Sequence, residues 1–362
     1  MTKYESLALK LTEQIERNLQ NGISKLPTEA ELCSRYQVSR QTVRAALTLL
    51  SRQGIIVSRQ GSGSYATGLS PDSLRNTIPI LITSSQEYIY PHLIADIRSA
   101  LSGQGYELSV YPTGNDTSKE REHLLKFLDA PPRGMIVEGC KSTLPNPNTD
   151  LYERLRASGT FILFLHNSYN GLEDNVCIKD DNYYGGCLLA EYLTTLGHTR
   201  IAALFKMDDM QGPERYHGVS SRLRDLGCIL ADRHTGWYLS SDLDALEKKQ
   251  DTRFITNFIQ NQLKGCSAVI CHDDEIAYWM IKELSYASIH VPQELSVVCF
   301  GNSYLNDLSG VRITSLTHAP GEMADALAEC ISQKLRGLSV VSQDIPWQLV
   351  HRESAAVFNP TL

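Results

Sequence analysis

The sequence predicts an α/β protein with a small helical domain at its amino terminus and a larger two-lobed domain of parallel sheets flanked by helices. Within residues 26–67, two short helical patterns precede a glycine-rich turn. From Ile78 onward, short apolar runs alternate with amphipathic segments, a pattern typical of parallel strands joined by helices. This second part has about 285 residues, too many for one ordinary sheet. We therefore expect two lobes.

The amino-terminal domain is predicted to begin with a helix over residues 4–21, which packs its apolar stripe on the helices that follow. Thr28 and Glu31 have the spacing of a capping box and predict the start of a second helix. Ser39 predicts the start of a third. After Gly54, the apolar run at 55–57 and the glycines of 61–63 predict a hairpin. Together these elements form the pattern of a winged helix-turn-helix.

The third helix has a polar face suited to reading DNA. Val43 and Leu50 recur at helical spacing and should point inward, which leaves Arg40, Gln41 and Arg44 outward on the first turns. Arginine pairs with guanine and glutamine with adenine in the major groove. Taken alone, this face could equally be an ordinary solvated face. The ordered combination of capped helices, turn and glycine-rich hairpin favours DNA binding.

Residues 4–67 resemble the GntR-type DNA-binding family, whose pattern is matched by the segments 26–29, 38–44 and 61–65. Ala30 departs from the basic residue found there in some members. The resemblance implies DNA contacts from the recognition helix and the hairpin tip, through Ser39, Arg40, Gln41, Arg44, Gln60 and Gly61.

The charge distribution is consistent with a nucleic-acid partner at one end of the chain. The 362 residues carry a formal net charge of −7, yet residues 1–67 hold nine Lys/Arg against five Asp/Glu. A basic domain on an acidic body suits phosphate binding confined to that domain. No run of about 18 apolar residues predicts a membrane span, and no signal peptide is recognisable, so we expect a cytoplasmic protein.

The nine cysteines show no Cys-x-x-Cys or Cys/His spacing, and we expect reduced thiols with neither metal nor cofactor. Residues 68–77 are polar, include Pro71 and are predicted to be a linker to the domain formed by residues 78–362. Apolar strand runs in that domain are predicted at 80–82, 108–110, 135–137, 161–165, 201–205, 268–271 and 295–300.

The larger domain lacks the common enzyme motifs. The segment after Ile82 has no G-x-G-x-x-G, and neither a P-loop nor a G-x-S-x-G occurs. Residues 78–357 instead resemble LacI-type regulators, which are similar to periplasmic sugar-binding proteins. The resemblance rests on the segments 188–201, 214–218, 271–277, 291–298, 313–316 and 349–354. The usual Gly-Phe-Asp of that family appears here as Cys299-Phe300-Gly301-Asn302, without its acidic residue.

A GntR-type domain fused to a LacI-type domain resembles the arabinose-responsive repressors of Gram-positive bacteria. The resemblance implies a homodimer that binds a palindromic operator and is released by L-arabinose. Another pentose, a hexose or an arabino-oligosaccharide stays open as the effector. An enzyme acting on a small sugar is the alternative from another class; it lacks a recognisable nucleophile or metal triad.

The expected effector site lies between the two lobes. Sugar hydroxyls both donate and accept hydrogen bonds, so carboxylates, amides and cationic side chains suit them, and an aromatic ring covers the C–H face. Glu138, Lys206 and Asp209 have an alternative role in an interlobe ion pair. His166 and Asn302 could be turn formers. The full candidate set is Tyr88, Tyr90, Glu138, Lys141, His166, Lys206, Asp209, Arg215, Asp274 and Asn302.

Overall fold

The computed structural model describes residues 3–20, 25–52, 55–59, 63–66, 76–86 and 88–359. The amino-terminal domain consists of α1 (Lys3–Gln20), α2 (Glu29–Tyr36), α3 (Arg40–Arg52), β1 (Ile56–Arg59) and β2 (Gly63–Ala66). The two strands pair antiparallel. The predicted capping box is confirmed, because the Thr28 amide donates to Glu31 Oε2 (2.7 Å) and the Glu31 amide donates to Thr28 Oγ1 (3.3 Å).

One apolar core holds the three helices and the hairpin together. Leu7 and Leu11 of α1 pack with Leu32 of α2 and with Val43 and Leu50 of α3, and all five are buried. The stripes predicted for α1 and α3 therefore face the same interior. Most of the predicted linker lies outside the described residues, which resume at Asn76.

The larger domain begins with alternating strands and helices. These are β3 (Thr77–Ile82), α4 (Tyr90–Gly103), β4 (Glu107–Pro112), α5 (Thr117–Asp129), β5 (Gly134–Glu138), α6 (Thr149–Ala157), β6 (Phe161–Leu165) and β7 (Val176–Asp180).

The next stretch forms the second lobe. It contains α7 (Asn182–Thr195), β8 (Ile201–Lys206), α8 (Gln211–Asp225), a single 3-10 turn (Asp232–His234), β9 (Thr235–Tyr238), α9 (Ser240–Lys249), α10 (Arg253–Asn261), β10 (Ala268–Cys271), α11 (Asp274–Tyr286), β11 (Ser296–Cys299), α12 (Leu305–Leu308) and β12 (Thr314–Thr317). The chain continues with α13 (Glu322–Leu335), β13 (Gln343–Ile345) and β14 (Gln348–Val350).

The described strands of the larger domain, β3 to β14, form two six-stranded sheets, one in each lobe. The amino-terminal lobe has the order β13-β7-β6-β5-β3-β4, and the carboxyl-terminal lobe has β14-β12-β11-β10-β8-β9. Within these two sheets, the described strand pairs are parallel except β12 with β14. Each sheet is covered by apolar clusters on both faces, which the predicted doubly covered parallel sheets require.

The seven predicted apolar runs all form strands. Sequence patterning missed β7, β9, β12, β13 and β14, which are short or contain polar residues. Because neighbouring strands supply their hydrogen bonds, these segments need no strong apolar run of their own.

The chain passes between the lobes three times: after β7, after β12 and after β13. The first and third crossings are joined by a hydrogen bond from the Asp181 amide to the Ile345 carbonyl (2.9 Å). The side chain of His318, in the second crossing, contacts both of the others. This topology brings the carboxyl ends of both parallel sheets to a common cleft beside a three-segment hinge.

Candidate functional site

The candidate DNA-reading face lies on the first turns of α3. Ser39 Oγ accepts from the Thr42 amide (3.2 Å) and caps the helix. The side chains of Arg40 and Arg44 are 70% and 65% exposed, and Gln41 is also exposed. Glu29 of α2 pairs with both arginines, at 3.3 Å from Arg40 Nε and 3.0 Å from Arg44 Nε. The two guanidinium groups are thus held side by side on an open surface.

The predicted contacts from the hairpin tip, Gln60 and Gly61, lie outside the described residues. Both strands that lead to this tip are described, and they pair in register from Ile56–Ala66 to Arg59–Gly63. The described hairpin is therefore consistent with the predicted wing.

The amino-terminal lobe contributes a buried carboxylate, Glu138, at the end of β5. It accepts hydrogen bonds from the Thr83 amide (2.6 Å) and the Tyr90 hydroxyl (3.2 Å), and its other neighbour is His166 Nδ1 (3.1 Å). Burial alone would raise the pKa of Glu138, but the hydrogen bond and charge of His166 and the Thr83 amide lower it. Burial opposes protonation of His166, whereas its bond to Glu138 and nearby carboxylates leave its pKa raised. The two groups form a buried hydrogen-bonded pair facing the cleft.

The carboxyl-terminal lobe contributes Arg215, which is only 4% exposed although it is charged. Its Nε donates to Asn182 Oδ1 (2.8 Å), and its Nη1 donates to the His272 carbonyl (2.6 Å). Asp180 Oδ2 lies 3.7 Å from Nη2, and the guanidinium stacks 4.4 Å from the Phe300 ring centroid. Partners at the hinge and directly after β10 thus fix the guanidinium in one orientation.

Asp274 begins α11 and is fully buried at the lobe interface. It accepts hydrogen bonds from the Tyr88 hydroxyl in the opposite lobe, from the Ser303 amide (2.5 Å) and from Asn306 Nδ2 (2.9 Å). Burial raises the pKa of Asp274, and the donors from Tyr88 and Ser303 oppose that rise. One carboxylate therefore links both lobes.

Lys206 ends β8, and its Nζ lies 3.9 Å from Asp209 Oδ2. The turn that leads from Lys206 into α8 is tight: a Cβ on Gly212 would lie 1.7 Å from the Lys206 carbonyl oxygen. Only glycine allows α8 to begin so close to the strand. The turn holds Asp209 at the cleft, where its carboxylate also contacts Ser142 and Asn167 of the opposite lobe (3.4 and 3.5 Å).

Two of the ten candidates lie apart from these contacts. The side chain of Lys141 is exposed, while its backbone amide donates to Asn115 Oδ1 (2.7 Å) and its carbonyl accepts from the Leu144 amide (2.9 Å). Asn302 is exposed and accepts from Arg352 Nη2 (2.6 Å) and Asn306 Nδ2 (3.2 Å). This arrangement agrees with the alternative in which Asn302 organises a turn. The other eight line the cleft or its hinge.

The structure adds polar groups that the sequence patterns did not single out. His272 and Tyr238 are buried at the ends of β10 and β9, and neither His272 Nδ1 nor the Tyr238 hydroxyl has a hydrogen-bond partner among the described residues. Burial and the positive charges of Arg215 and Lys206 hold the pKa of His272 well below its usual value. Both residues follow the rule of polar groups at parallel strand ends, which could have identified them.

The described residues contain no group of three or more His, Cys, Asp or Glu side chains arranged to hold a metal ion. None of the helices formed by these residues is both long and apolar enough to cross a membrane.

Two family descriptions match the chain. Residues 3–65 match the bacterial regulatory proteins of the gntR family, and residues 190–355 match a periplasmic binding protein-like domain. The fold resembles a periplasmic binding protein/LacI transcriptional regulator from Alkaliphilus metalliredigens complexed with D-xylulofuranose. That match has a TM-score of 0.63 at 19% identity over 77% of this chain and 99% of the other. The predicted two-part α/β architecture is confirmed.

Full-length relatives share both parts. An arabinose metabolism transcriptional repressor of Geobacillus stearothermophilus is 30% identical over 100% of this chain and 98% of its own length. The protein of the same description from Halalkalibacterium halodurans is 29% identical over 100% of this chain and 95% of its own. These relatives are transcriptional regulators rather than enzymes. The chain belongs to the family of arabinose metabolism transcriptional repressors, in which a GntR-type domain precedes a periplasmic-binding-protein-like domain.

Proposed function

We propose that this protein represses arabinose-utilisation genes and is released from its operator by L-arabinose bound between the two lobes. The observation that carries the proposal is the convergence of polar side chains from both lobes on one cleft, through Tyr88, Glu138, Asp209, Arg215 and Asp274. The full-length relatives named for arabinose metabolism favour this sugar over other effectors.

The chemistry of the cleft suits a small polyol. Glu138, Asp209 and Asp274 supply acceptors, Lys206 and Arg215 supply donors, and the hydroxyls of Tyr88 and Tyr90 supply both. Buried groups without partners among the described residues, His272 Nδ1 and the Tyr238 hydroxyl, would gain hydrogen bonds from a polar ligand. We assign the sugar contacts to the eight clustered candidates, and retain Lys141 and Asn302 as contacts at the rim.

At the other end, α3 enters the major groove. Arg40, Gln41 and Arg44 read bases while Ser39, Gln60 and Gly61 contact the backbone or the groove edge. The interaction of Glu29 with both arginines orders their side chains before DNA arrives. The DNA-binding domain is formed by residues 1–67 and is joined to residues 78–362 by the linker 68–77. Because its target is chromosomal DNA, the protein acts in the cytoplasm.

Repression requires two DNA-binding domains, one from each subunit of a dimer. We assign the protein to a homodimer on a palindromic operator, because two-fold symmetry places two recognition helices on successive major grooves. Sugar that closes the cleft rotates one lobe against the other and changes the spacing of the linkers. A coupling of about 1–3 kcal/mol per site corresponds to roughly 5- to 150-fold weaker operator binding, which is sufficient for induction.

The proposal is tested by an electrophoretic shift of the full-length protein on DNA from an arabinose operon, with and without L-arabinose. We expect L-arabinose to abolish the shifted band at concentrations that leave D-glucose inactive. A band unaltered by arabinose would reject this effector, and a strengthened band would reject release as the mechanism.

Other effectors are distinguished by thermal unfolding of the full chain with a panel of sugars. Only a ligand that binds the native cleft raises the unfolding temperature appreciably. A shift with another pentose, a hexose or an arabino-oligosaccharide, and none with L-arabinose, would transfer the assignment to that sugar.

A further inference from the structure

The loop after β5 is held by three consecutive backbone amides. The Gly139 amide donates to Asn167 Oδ1 (3.2 Å), the Cys140 amide to the Tyr169 hydroxyl (2.5 Å) and the Lys141 amide to Asn115 Oδ1 (2.7 Å). Asn167 and Tyr169 lie in the loop after β6, and Asn115 lies in the loop after β4, so two segments of the amino-terminal lobe supply the acceptors. The loop therefore has a single, externally fixed path.

A buried carboxylate, Glu120, stabilises this loop indirectly, through Tyr169. Glu120 is fully buried and accepts from the hydroxyls of Tyr152 (2.6 Å) and Tyr169 (2.5 Å), and from Nδ2 of Asn146 (2.8 Å) and Asn148 (2.7 Å). Tyr169 accepts from the Cys140 amide, so its own proton must point to Glu120. The orientation of Tyr169 is thereby determined.

The same bonds determine the orientation of two amide side chains. Since Oδ1 of Asn167 and Oδ1 of Asn115 face backbone N–H groups, their Nδ2 groups must point away from the loop. Nδ2 of Asn167 lies 3.5 Å from Asp209 Oδ1, and Nδ2 of Asn115 lies 2.6 Å from Ser240 Oγ. Both partners belong to the carboxyl-terminal lobe, so each amide bridges the loop and the opposite lobe.

Ser142 forms the third bridge. Its hydroxyl accepts from the Met210 amide (2.9 Å) and donates to Asp209 Oδ1 (3.4 Å). All three bridging residues are buried. We refer to Asn115, Ser142 and Asn167, with their partners Asp209, Met210 and Ser240, as the interlobe clasp.

The carboxyl-terminal half of the clasp is also fixed. Asp208 accepts from the Ser240 amide with both oxygens (3.1 Å each), and Asp209 Oδ1 accepts from the Gln211 amide (3.2 Å). Asp208 thus fixes the position of Ser240, which contacts Asn115, and Asp209 itself is fixed where it contacts Asn167. The clasp joins two rigid surfaces and can form only when the lobes are closed.

We propose that Asn167 and Asn115 are positioning residues of the effector site, which hold the closed form and so set how long the sugar stays bound. The inference rests on the proposed function, since it takes the cleft to be the sugar site. Sugar enters the open form, in which the clasp is broken. Loss of the clasp therefore accelerates sugar release without slowing sugar entry.

The sharpest test is Asn167→Asp in the full-length protein, with L-arabinose as the probe. The aspartate still offers an oxygen that accepts from the Gly139 amide. Its second oxygen replaces the Nδ2 donor, so that two carboxylates face each other at Asp209. We expect the dissociation rate constant, measured by stopped-flow fluorescence, to rise about tenfold or more, because a charge-assisted hydrogen bond becomes a repulsion. The association rate constant should not fall.

The matched variant is Asn115→Asp, which makes the same atomic change at the other amide. Its partner is the hydroxyl of Ser240, which can reverse and donate to the new carboxylate. We expect a much smaller increase in dissociation rate than for Asn167→Asp. Equal increases in the two variants would mean that added charge, rather than the partner across the cleft, is responsible, and would overturn the proposal. Unchanged dissociation in Asn167→Asp would also overturn it.

A measurement without sugar separates this inference from the effector assignment. Among the described residues, the Met210 amide donates across the cleft to Ser142 Oγ, whereas the Gly139 amide is bound within its own lobe, so opening of the cleft exposes Met210 but not Gly139. In sugar-free Asn167→Asp, exchange at Met210 should accelerate while Gly139 stays protected. If no sugar binds the wild type, the effector assignment fails, and this exchange pattern alone decides the clasp: faster exchange at Met210 supports it and unaltered exchange rejects it.

Discussion

His318 Nε2 lies 2.9 Å from Oδ1 of Asp180, which joins the second crossing between the lobes to the first. The other ring nitrogen, Nδ1, lies 2.9 Å from the Pro346 carbonyl in the third crossing, and the imidazole stacks 3.7 Å from the Trp347 ring. One side chain therefore contacts all three segments about which the lobes must rotate. Arg215 of the effector cleft shares Asp180, so the hinge and the cleft have a carboxylate in common.

Removal of the imidazole should weaken the hinge. His318→Phe keeps a ring against Trp347 but loses both hydrogen bonds, one of them to a buried charge. We expect the free energy of unfolding to fall by about 2–4 kcal/mol, measured by urea denaturation at pH 7. The control is His290→Phe, because the pair of His290 with Glu294 is solvent-exposed and should contribute much less to stability. Equal losses in the two variants would contradict a special role for His318.

Asp180 should make the protein sensitive to acid. Burial would raise its pKa, but the hydrogen bond to His318 and the charges of His166, His318 and Arg215 lower it to about 2. A lowered folded-state pKa stabilises the protein above the unfolded value, and this contribution is lost as pH falls from about 4 toward 2. The contribution is about 2 kcal/mol. Urea denaturation between pH 5 and 3 should give a shallower pH slope in Asp180→Asn, and an unchanged slope would contradict this assignment.

The charge of Glu138 should be measurable at His166. Glu138→Gln removes the carboxylate that raises the pKa of His166, so we expect that pKa to fall, as followed by NMR of histidine-labelled protein. His198 provides an internal control, since burial lowers its pKa and its partners are Ser267 and the Ala356 carbonyl. If His166 titrates identically in the variant, the contact between Glu138 and His166 is not formed in solution.

Arg215→Lys should uncouple the sugar from the operator. An ammonium group cannot donate to Asn182 and His272 in the fork geometry of the guanidinium, so the cleft loses a preorganised donor. We expect repression without sugar to persist and release by L-arabinose to need at least about tenfold more sugar. Electrophoretic shifts over an arabinose titration measure both. Normal release by sugar would show that the cleft has been assigned wrongly.

On the DNA face, Arg44→Ala should weaken operator binding by about 1–3 kcal/mol if this residue reads a base. The same substitution at Arg35, an exposed residue in the last turn of α2, removes equal charge outside the predicted reading face. We expect Arg35→Ala to have a smaller effect that is alike for operator and scrambled DNA, measured by fluorescence anisotropy. If the Arg44→Ala variant keeps its sequence preference, Arg44 does not read a base and belongs to an ordinary solvated face.

Local patterns were sufficient for the amino-terminal domain. The Thr28–Glu31 capping box and the buried positions Val43 and Leu50 depend only on neighbours within a helical turn or two, and the structure confirms them. The same holds for strands such as Phe161–Leu165, whose apolar runs are long enough to be recognised. The polar strand Thr314–Thr317 is stabilised by its partners in the sheet, so its own residues carried little signal.

The sequence by itself determined the two-part architecture and most residue types at the cleft, because parallel strands deliver the residues after their carboxyl ends to one edge. The sequence could not determine which side chains contact one another. Asp209 was predicted as a sugar contact or an interlobe ion-pair residue, and only the folded chain brings Asn167 and Ser142 of the other lobe to it. Likewise, His318 meets Asp180 across 138 residues of sequence. Such contacts depend on how two lobes and three crossings pack together, which no local periodicity encodes.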